Sequence, residues 1–275
     1  MVVNKAVPVT SKIKQAYKPM KLVLPTQNSV PETDISRYSF FIYGKQGIGK
    51  TTLSLQFPNA LHMMFEPGAK SKALRKIEPA NWKEVEGYIK LIKDDTAYKT
   101  VVIDTCDLMW DMCTAQVCED KGVDYLKDIG FGDGYSIAGT RFRKALIDIH
   151  MNKGLIILSH DKMRISEEKN EEGYIIPSVP KRGADTIAKW ADLTAHYYIN
   201  VANERLLKIR ANAKAEAKCR PDEFFNYTDG TPIMNIPMGK SAGESYENFL
   251  KSFNNELENP KKQTKQKPKS FTITK

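Results

Sequence analysis

The sequence has no long hydrophobic run. Its apolar stretches are short, such as Leu155–Leu158, so no segment reads as a membrane span. Met1–Thr10 also lacks the apolar stretch of a secretory signal, and a cytoplasmic protein is expected. Cysteine is scarce. Cys106, Cys113, Cys118 and Cys219 include no CxxC pair, and His62, His150, His160 and His196 are not at zinc-ligand spacing. They read as reduced, mostly buried thiols without a metal. There is no internal repeat. Acids are missing from both ends: residues 1–31 hold five Lys and residues 259–275 hold six, with no Asp or Glu in either. The ends therefore carry +11 of a chain whose net charge is +9, and residues 32–258 net −2. Both ends are also rich in Pro, Gln, Thr and Lys, so disordered basic arms are expected at 1–34 and 259–275. Such arms either hold nucleic acid through phosphates, with salt-dependent affinity, or only keep the chain in solution.

What is present is a phosphate-binding loop. Gly44-Lys45-Gln46-Gly47-Ile48-Gly49-Lys50-Thr51 has the pattern of Gly, four residues, then Gly-Lys-Thr. An aromatic, apolar strand, Tyr38–Tyr43, runs in, and a helix start, Thr51–Leu55, runs out. That frame lets the backbone N–H groups from Gly44 to Gly49, those of Gln46 and Ile48 included, converge on one anion at a helix N-terminus. Gly44, Gly47 and Gly49 let the loop turn and curl. Lys50 puts a charge between the β- and γ-phosphates, Thr51 offers a hydroxyl to Mg²⁺, and Thr52 reaches for the α-phosphate. ATP and Mg²⁺ are the expected ligands.

The 275 residues and their 41% hydrophobic content suit one α/β domain, placed at 35–258. Strands are expected at 37–43, 60–65, 100–104 and 154–160. Helices are expected at 50–57, 82–93, 108–119, 136–152, 184–191 and 246–257. Residues 120–135, with four glycines, read as a loop. Two hairpins are expected, 162–166 with 174–179 and 195–201 with 205–210. Strands separated by helices in the first half imply a mostly parallel central sheet. The later hairpins imply antiparallel C-terminal strands at one edge.

Three polar residues end apolar strands and should gather beside the loop. Asp104 ends Thr100–Ile103 and can hold Mg²⁺, directly or through water. Glu66 ends Ala60–Phe65, where a carboxylate can orient and polarise an attacking water, or else cap something local. His160 follows Ser159 and either senses the γ-phosphate or is an ordinary edge histidine. Far along the chain, Lys218 and Arg220 either reach a neighbouring subunit's γ-phosphate or form a solvated basic turn. Lys208, Arg210 and Arg182 are weaker rivals for that role.

Together these residues resemble the RecA-like ATPases, specifically the phage-encoded single-strand-annealing, RecA-core family often grouped with the AAA ATPases. The likeness covers roughly residues 36–225. It rests on FFIYGKQGIGKTTLSLQFPNALHMMFEPG, TVVIDTCDLMW, GLIILSH and AKAEAKCRPDEFF. It implies a RecA-like P-loop sandwich of α/β class. It also implies Glu66 as the activating glutamate, Asp104 as the Mg²⁺ carboxylate, His160 as the switch, and Lys218 with Arg220 as the basic pair across a homo-oligomer interface. Implied partners are single-stranded DNA and a single-strand DNA-binding protein; no membrane is expected. In that family the segment after the sensor strand contacts DNA. Here that segment, 161–182, nets to zero, which moves the expected DNA grip towards the tails. The function expected is a DNA-stimulated ATPase in recombination, annealing or repair. The alternatives are an ATP-independent annealing module and a P-loop small-molecule kinase. The nine arginines form no dense lid-like cluster of the kind such a kinase needs.

Overall fold

A computed structural model describes residues 24–164 and 173–260. Most of both basic tails, and residues 165–172 of the expected DNA segment, lie outside the described residues. Met1–Thr33 separates as one unit, and its described part, residues 24–33, holds no helix or strand. Asp34–Lys275 is the other unit. In chain order it runs β1 (Ser39–Gly44), α1 (Lys50–Ser54), β2 (Ala60–Met64), β3 (Arg75–Ile77), α2 (Trp82–Asp94), β4 (Thr100–Asp104) and α3 (Cys106–Lys121). Then come α4 (Asp133–His150), β5 (Gly154–Ser159), β6 (Asp161–Arg164), β7 (Tyr174–Pro177), α5 (Lys181–Trp190) and β8 (Leu193–Ile199). The last elements are β9 (Arg205–Lys208), β10 (Lys218–Cys219), β11 (Asn235–Pro237) and α6 (Ala242–Phe253).

The fold is α/β with a mostly parallel central sheet. The strand order is β11-β9-β8-β1-β5-β4-β2-β3, with β10 also on β8. From β8 to β3 every pairing is parallel, and β9, β10 and β11 add antiparallel. The central strands are apolar on both faces because both faces are covered. Phe41, Val101, Ile103, Leu155 and Ile157 point into the core under α2 to α5. Their neighbours Phe40, Ile42, Val102, Ile156 and Leu158 join the core of Leu53, Phe249 and Phe253, from α1 and α6. Period-two alternation thus assigns each residue a side, although the sequence looks uniformly hydrophobic.

Several boundaries differ from expectation. The short strands β3, β10 and β11 hold two or three residues each and carry no periodicity. α1 stops at Ser54 rather than residue 57. α3 begins at Cys106, immediately after β4, with Thr105 at the N-cap position and its hydroxyl turned to Glu66 instead of the helix. α4 starts at Asp133, inside the expected loop, and the rest of that loop contains short turns at Leu126–Asp128 and Gly130–Gly132. α5 starts at Lys181 behind Pro180, a residue tolerated at helix starts. α6 starts four residues early because Ser241 caps it: Glu244 N donates to Ser241 Oγ at 3.2 Å, while Glu244 Oε2 accepts from Lys240 N at 2.8 Å.

Candidate functional site

Four strands end side by side at one edge of the sheet: β1, β5, β4 and β2, in that order. Each is followed by a residue with a chemical handle. β1 feeds the phosphate loop, β5 ends at Ser159 before His160, β4 ends in Asp104, and β2 runs through Phe65 to Glu66. β5 lies between β1 and β4, so His160 emerges beside Asp104 at that edge.

The loop has the backbone that its glycines permit. Gly47 and Gly49 sit at φ +76° and +118°, the left-handed side where a Cβ is strained. At Gly44 the constraint is space: a Cβ would run into the Tyr197 carbonyl oxygen of β8. Lys45, Gln46 and Gly47 are exposed at the loop's tip, while Ile48 is buried against the α1 side of the sheet. Lys50 is buried and folds back, its Nζ donating to the carbonyls of Gly44 at 2.6 Å and Lys45 at 3.0 Å. Burial pushes its ammonium below the usual lysine range, while the carboxylates of Asp104, Asp161, Glu66 and Asp107 pull the other way.

Thr51 and Asp104 meet. Thr51 Oγ1 donates to Asp104 Oδ2 at 2.7 Å, across 53 residues of chain. Burial raises the Asp104 carboxyl above the usual range, and the Thr51 hydrogen bond opposes that. This pair fits Mg²⁺: a hydroxyl and one carboxylate oxygen converge beside a phosphate loop, and phosphate and water oxygens complete such a shell. When bound, Mg²⁺ supplies charge neutralisation to the phosphate oxygens. Thr52 is half-exposed on the outer side of α1, in a cleft of about 190 Å³ that includes Tyr197, Arg205 and Lys240.

Glu66 and His160 are joined directly. His160 Nε2 lies 2.8 Å from Glu66 Oε1, and the same oxygen accepts from Thr105 Oγ1 at 2.9 Å. His160 Nδ1 is buried without a partner among the described residues. Its backbone is held too. Asp107 Oδ2 accepts from His160 N at 3.3 Å, and the His160 carbonyl accepts from Ser178 N at 2.8 Å. Asp107 Oδ1 accepts from the hydroxyls of Ser159, at 3.1 Å, and Ser178. One carboxylate thus ties α3, the end of β5 and the exit of the β6–β7 hairpin together. Thr105 and Asp107 escaped the sequence reading. Their only signal was position, one and three residues past Asp104.

Asp161 leads from His160 into the hairpin and lies 3.4 Å from His196 Nε2. The His196 ring stacks between Tyr43 and Tyr198, with centroids at 4.9 and 5.3 Å, and burial lowers its pKa. In the hairpin, Arg164 lies over the Tyr174 ring at 5.7 Å.

Lys218 and Arg220 are placed elsewhere. Lys218 pairs in register with Thr194, and Thr194 with Phe41, three residues before Gly44 on β1. That puts the pair about 10 Å back along the strands from the phosphate loop. Lys218 Nζ donates to the Ala188 carbonyl, and an Arg220 guanidinium nitrogen to that of Lys189. Within one chain both cations sit on the last carbonyls of α5, where positive charge is favoured. Of the rivals, Lys208 is buried beside Tyr198, and Arg210 donates to the carbonyls of Phe225 and Ile233. All four cysteines are free; Cys106 and Cys113 are buried, Cys118 and Cys219 half-buried.

A phosphate loop on a parallel sheet, with a hydroxyl–carboxylate pair at its side, defines a P-loop nucleotide-binding protein. The chain belongs to the AAA domain family, whose model matches residues 36–221, and so to the P-loop ATPases. It is similar to the SPbeta prophage-derived uncharacterized protein YorG of Bacillus subtilis (strain 168), with 25% identity over 182 residues. The match covers 62% of this chain and 54% of YorG, so the chain spans about half the length of that relative. No helix among the described residues is long and apolar enough to cross a membrane.

Proposed function

We propose that this chain hydrolyses ATP at the 44–51 loop in a RecA-like site and couples turnover to single-stranded DNA. The process served would be recombination, annealing or repair. The observation that carries the reading is the Glu66–His160 contact at 2.8 Å beside the Thr51–Asp104 pair. Glu66 stands at the end of the strand next to β4, where its carboxylate orients the attacking water. Lys50 stabilises charge on the phosphate, and His160 reads the same carboxylate and passes its position to the hairpin.

The DNA partner is supported by the segment between α3 and α4. It exposes Tyr125 and Phe131, the first turn of α4 adds Tyr135, and Lys127 lies over the Tyr125 ring at 5.0 Å. Exposed aromatics beside cations suit stacked bases of a single strand. The similarity to a prophage protein fits the phage setting. The reading includes host cytoplasm, a homo-oligomer in which Lys218 and Arg220 face a neighbour's nucleotide, and a single-strand DNA-binding protein as a further partner. The test is phosphate release from Mg-ATP with single-stranded DNA, duplex DNA or neither. Single strands should stimulate it and duplex should not, and Lys50→Ala should abolish it. Turnover no higher than that of Lys50→Ala rejects the ATPase. Strand annealing that survives in Lys50→Ala makes ATP chemistry dispensable.

A further inference from the structure

α4 and α5 pack side by side and leave a groove along the face away from the sheet. Arg143 lines it from α4, Arg182 and Lys189 from α5, and Arg220 from just beyond β10. Asp185 is the one acid on its wall among the described residues. Arg143, Arg182 and Lys189 are exposed, and none of them forms an ion pair among the described residues. Arg182 and Lys189 are seven residues apart, two turns of one helix face, so their charges are spread over about 10 Å of groove. Arg220 has a structural role on the last carbonyls of α5, but the side chains of Arg143, Arg182 and Lys189 make no hydrogen bond or ion pair among the described residues, and like charges around one acid repel one another.

The groove does not end at Arg182. The same residue lines the next cleft, with the exposed rings of Tyr125 and Tyr135 above the buried Trp110. At the opposite end Trp190 closes the groove, its ring edge-on to His150 at 4.8 Å. One surface path therefore runs from an aromatic cleft, past Arg182, down a cationic groove to Trp190 and Arg220. Rings at spacings along a line of positive charge match a strand whose phosphates lie on one side and whose bases are free to stack.

We propose that the α4–α5 groove is the track for the phosphate backbone of a single-stranded nucleic acid, with Arg143, Arg182 and Lys189 as its phosphate contacts. This rests on the nucleic-acid reading above and changes its location. The grip is on the folded domain, on a helix pair, and draws on the neutral 161–182 segment only through Arg182 at its end. No base is read, so binding is sequence-tolerant and salt-sensitive.

The test is fluorescence anisotropy of a labelled oligo-dT, titrated with full-length protein over a range of salt. The variants are the parent, Arg143→Glu with Lys189→Glu, and the milder Arg143→Gln with Lys189→Gln. Both sites are exposed helix positions, so melting curves should overlay the parent's. Loss of two phosphate contacts should lower the slope of log K against log salt by about 1.4 and weaken binding at least tenfold at low salt. Binding of a fluorescent ATP analogue should not change. A parent that binds oligo-dT while both variants bind with the same affinity and slope overturns the groove and leaves the DNA function standing. A parent that binds no oligo-dT at any salt overturns the DNA function itself. Polyglutamate that displaces the oligonucleotide as well as unlabelled oligo-dT does shows an anionic protein partner instead, and overturns the track.

Discussion

Replacing Glu66 with Gln isolates chemistry from fold. The swap keeps the side chain's volume and one carbonyl oxygen. Oε1 accepts from Thr105 Oγ1 at 2.9 Å and meets His160 Nε2 at 2.8 Å, and an amide oxygen can keep both. The side chain is 28% exposed, so no charge is buried or released into a sealed interior. The structural cost should stay within about 0.5 kcal/mol, as for substitutions that leave packing and hydrogen bonds intact. What is lost is the carboxylate as a proton acceptor for water. General-base assistance is worth about 10²–10⁴-fold, or roughly 3–5 kcal/mol of barrier. The assay is steady-state phosphate release at saturating Mg-ATP, with a melting curve and an ATP-analogue titration on the same preparation. Turnover should fall by at least about a hundredfold. Melting temperature and nucleotide affinity should hold. Turnover within threefold of the parent would falsify the water-orienting role of Glu66. A large fall in melting temperature would show instead that the Thr105–Glu66–His160 contacts hold the edge together.

Two further outcomes follow from a buried histidine and a half-buried carboxylate. Burial holds the His62 ring at about 4, below its ordinary 6.5, with Nε2 3.0 Å from Ser54 Oγ. The unfolded chain therefore binds a proton first as pH falls. Stability contributed here is intact above pH 6.5, declines below it, and is lost by about pH 4, for a total of about 3 kcal/mol. Denaturant midpoints against pH should show that decline, and His62→Gln should flatten it; parallel curves for the two proteins count against the assignment. Asp107→Ala leaves the Ser178 hydroxyl and the His160 N–H without their acceptor and leaves Ser159 Oγ only the His160 carbonyl. It should cost about 1–3 kcal/mol of stability and lower turnover while sparing nucleotide affinity. Unchanged melting and turnover in that variant would show that the hairpin exit is held by other means.

The parts of the site legible in sequence were those written locally. An apolar run that ends in an acid states both a strand and the edge at which its side chain emerges, so Asp104 and Glu66 could be placed without a partner in view. The loop carried its own frame. What could not be read depended on pairing at a distance. Asp107 matters because Ser159 and Ser178, 52 and 71 residues on, return to it. The position of Lys218 follows from a two-residue strand lying on the start of β8, and two residues have no period. The exposed rings at Tyr125, Phe131 and Tyr135 looked like loop composition because four glycines surround them. The groove on α5 was hidden for a related reason. Its first turn, Lys181-Arg182-Gly183, follows Pro180 and reads as a connection until the helix is seen to start there.

The acids around the loop set how the nucleotide must arrive. One buried ammonium, Lys50, is faced by the carboxylates of Asp104, Asp161, Glu66 and Asp107. A triphosphate brings more negative charge to the same edge. Two like charges 4 Å apart repel by about 4 kcal/mol at an effective dielectric near 20. ATP without a divalent cation should therefore bind poorly, through repulsion as well as through the lost metal bridge. The two causes separate at Asp104. An Asn there keeps a carbonyl oxygen to accept from the Thr51 hydroxyl, which now donates at 2.7 Å, so the local geometry survives. It removes one negative charge from the metal position. With excess Mg²⁺, Asp104→Asn should lose turnover by roughly a hundredfold or more, on the scale of a missing electrostatic clamp. With excess chelator, the order should invert, and the variant should bind an ATP analogue more tightly than the parent. Equal chelator penalties in the two proteins would mean that the acid edge does not oppose the phosphates and that the metal's contribution is purely a bridge. Inversion is the stronger outcome, because a merely damaged site cannot gain affinity when the metal is withdrawn.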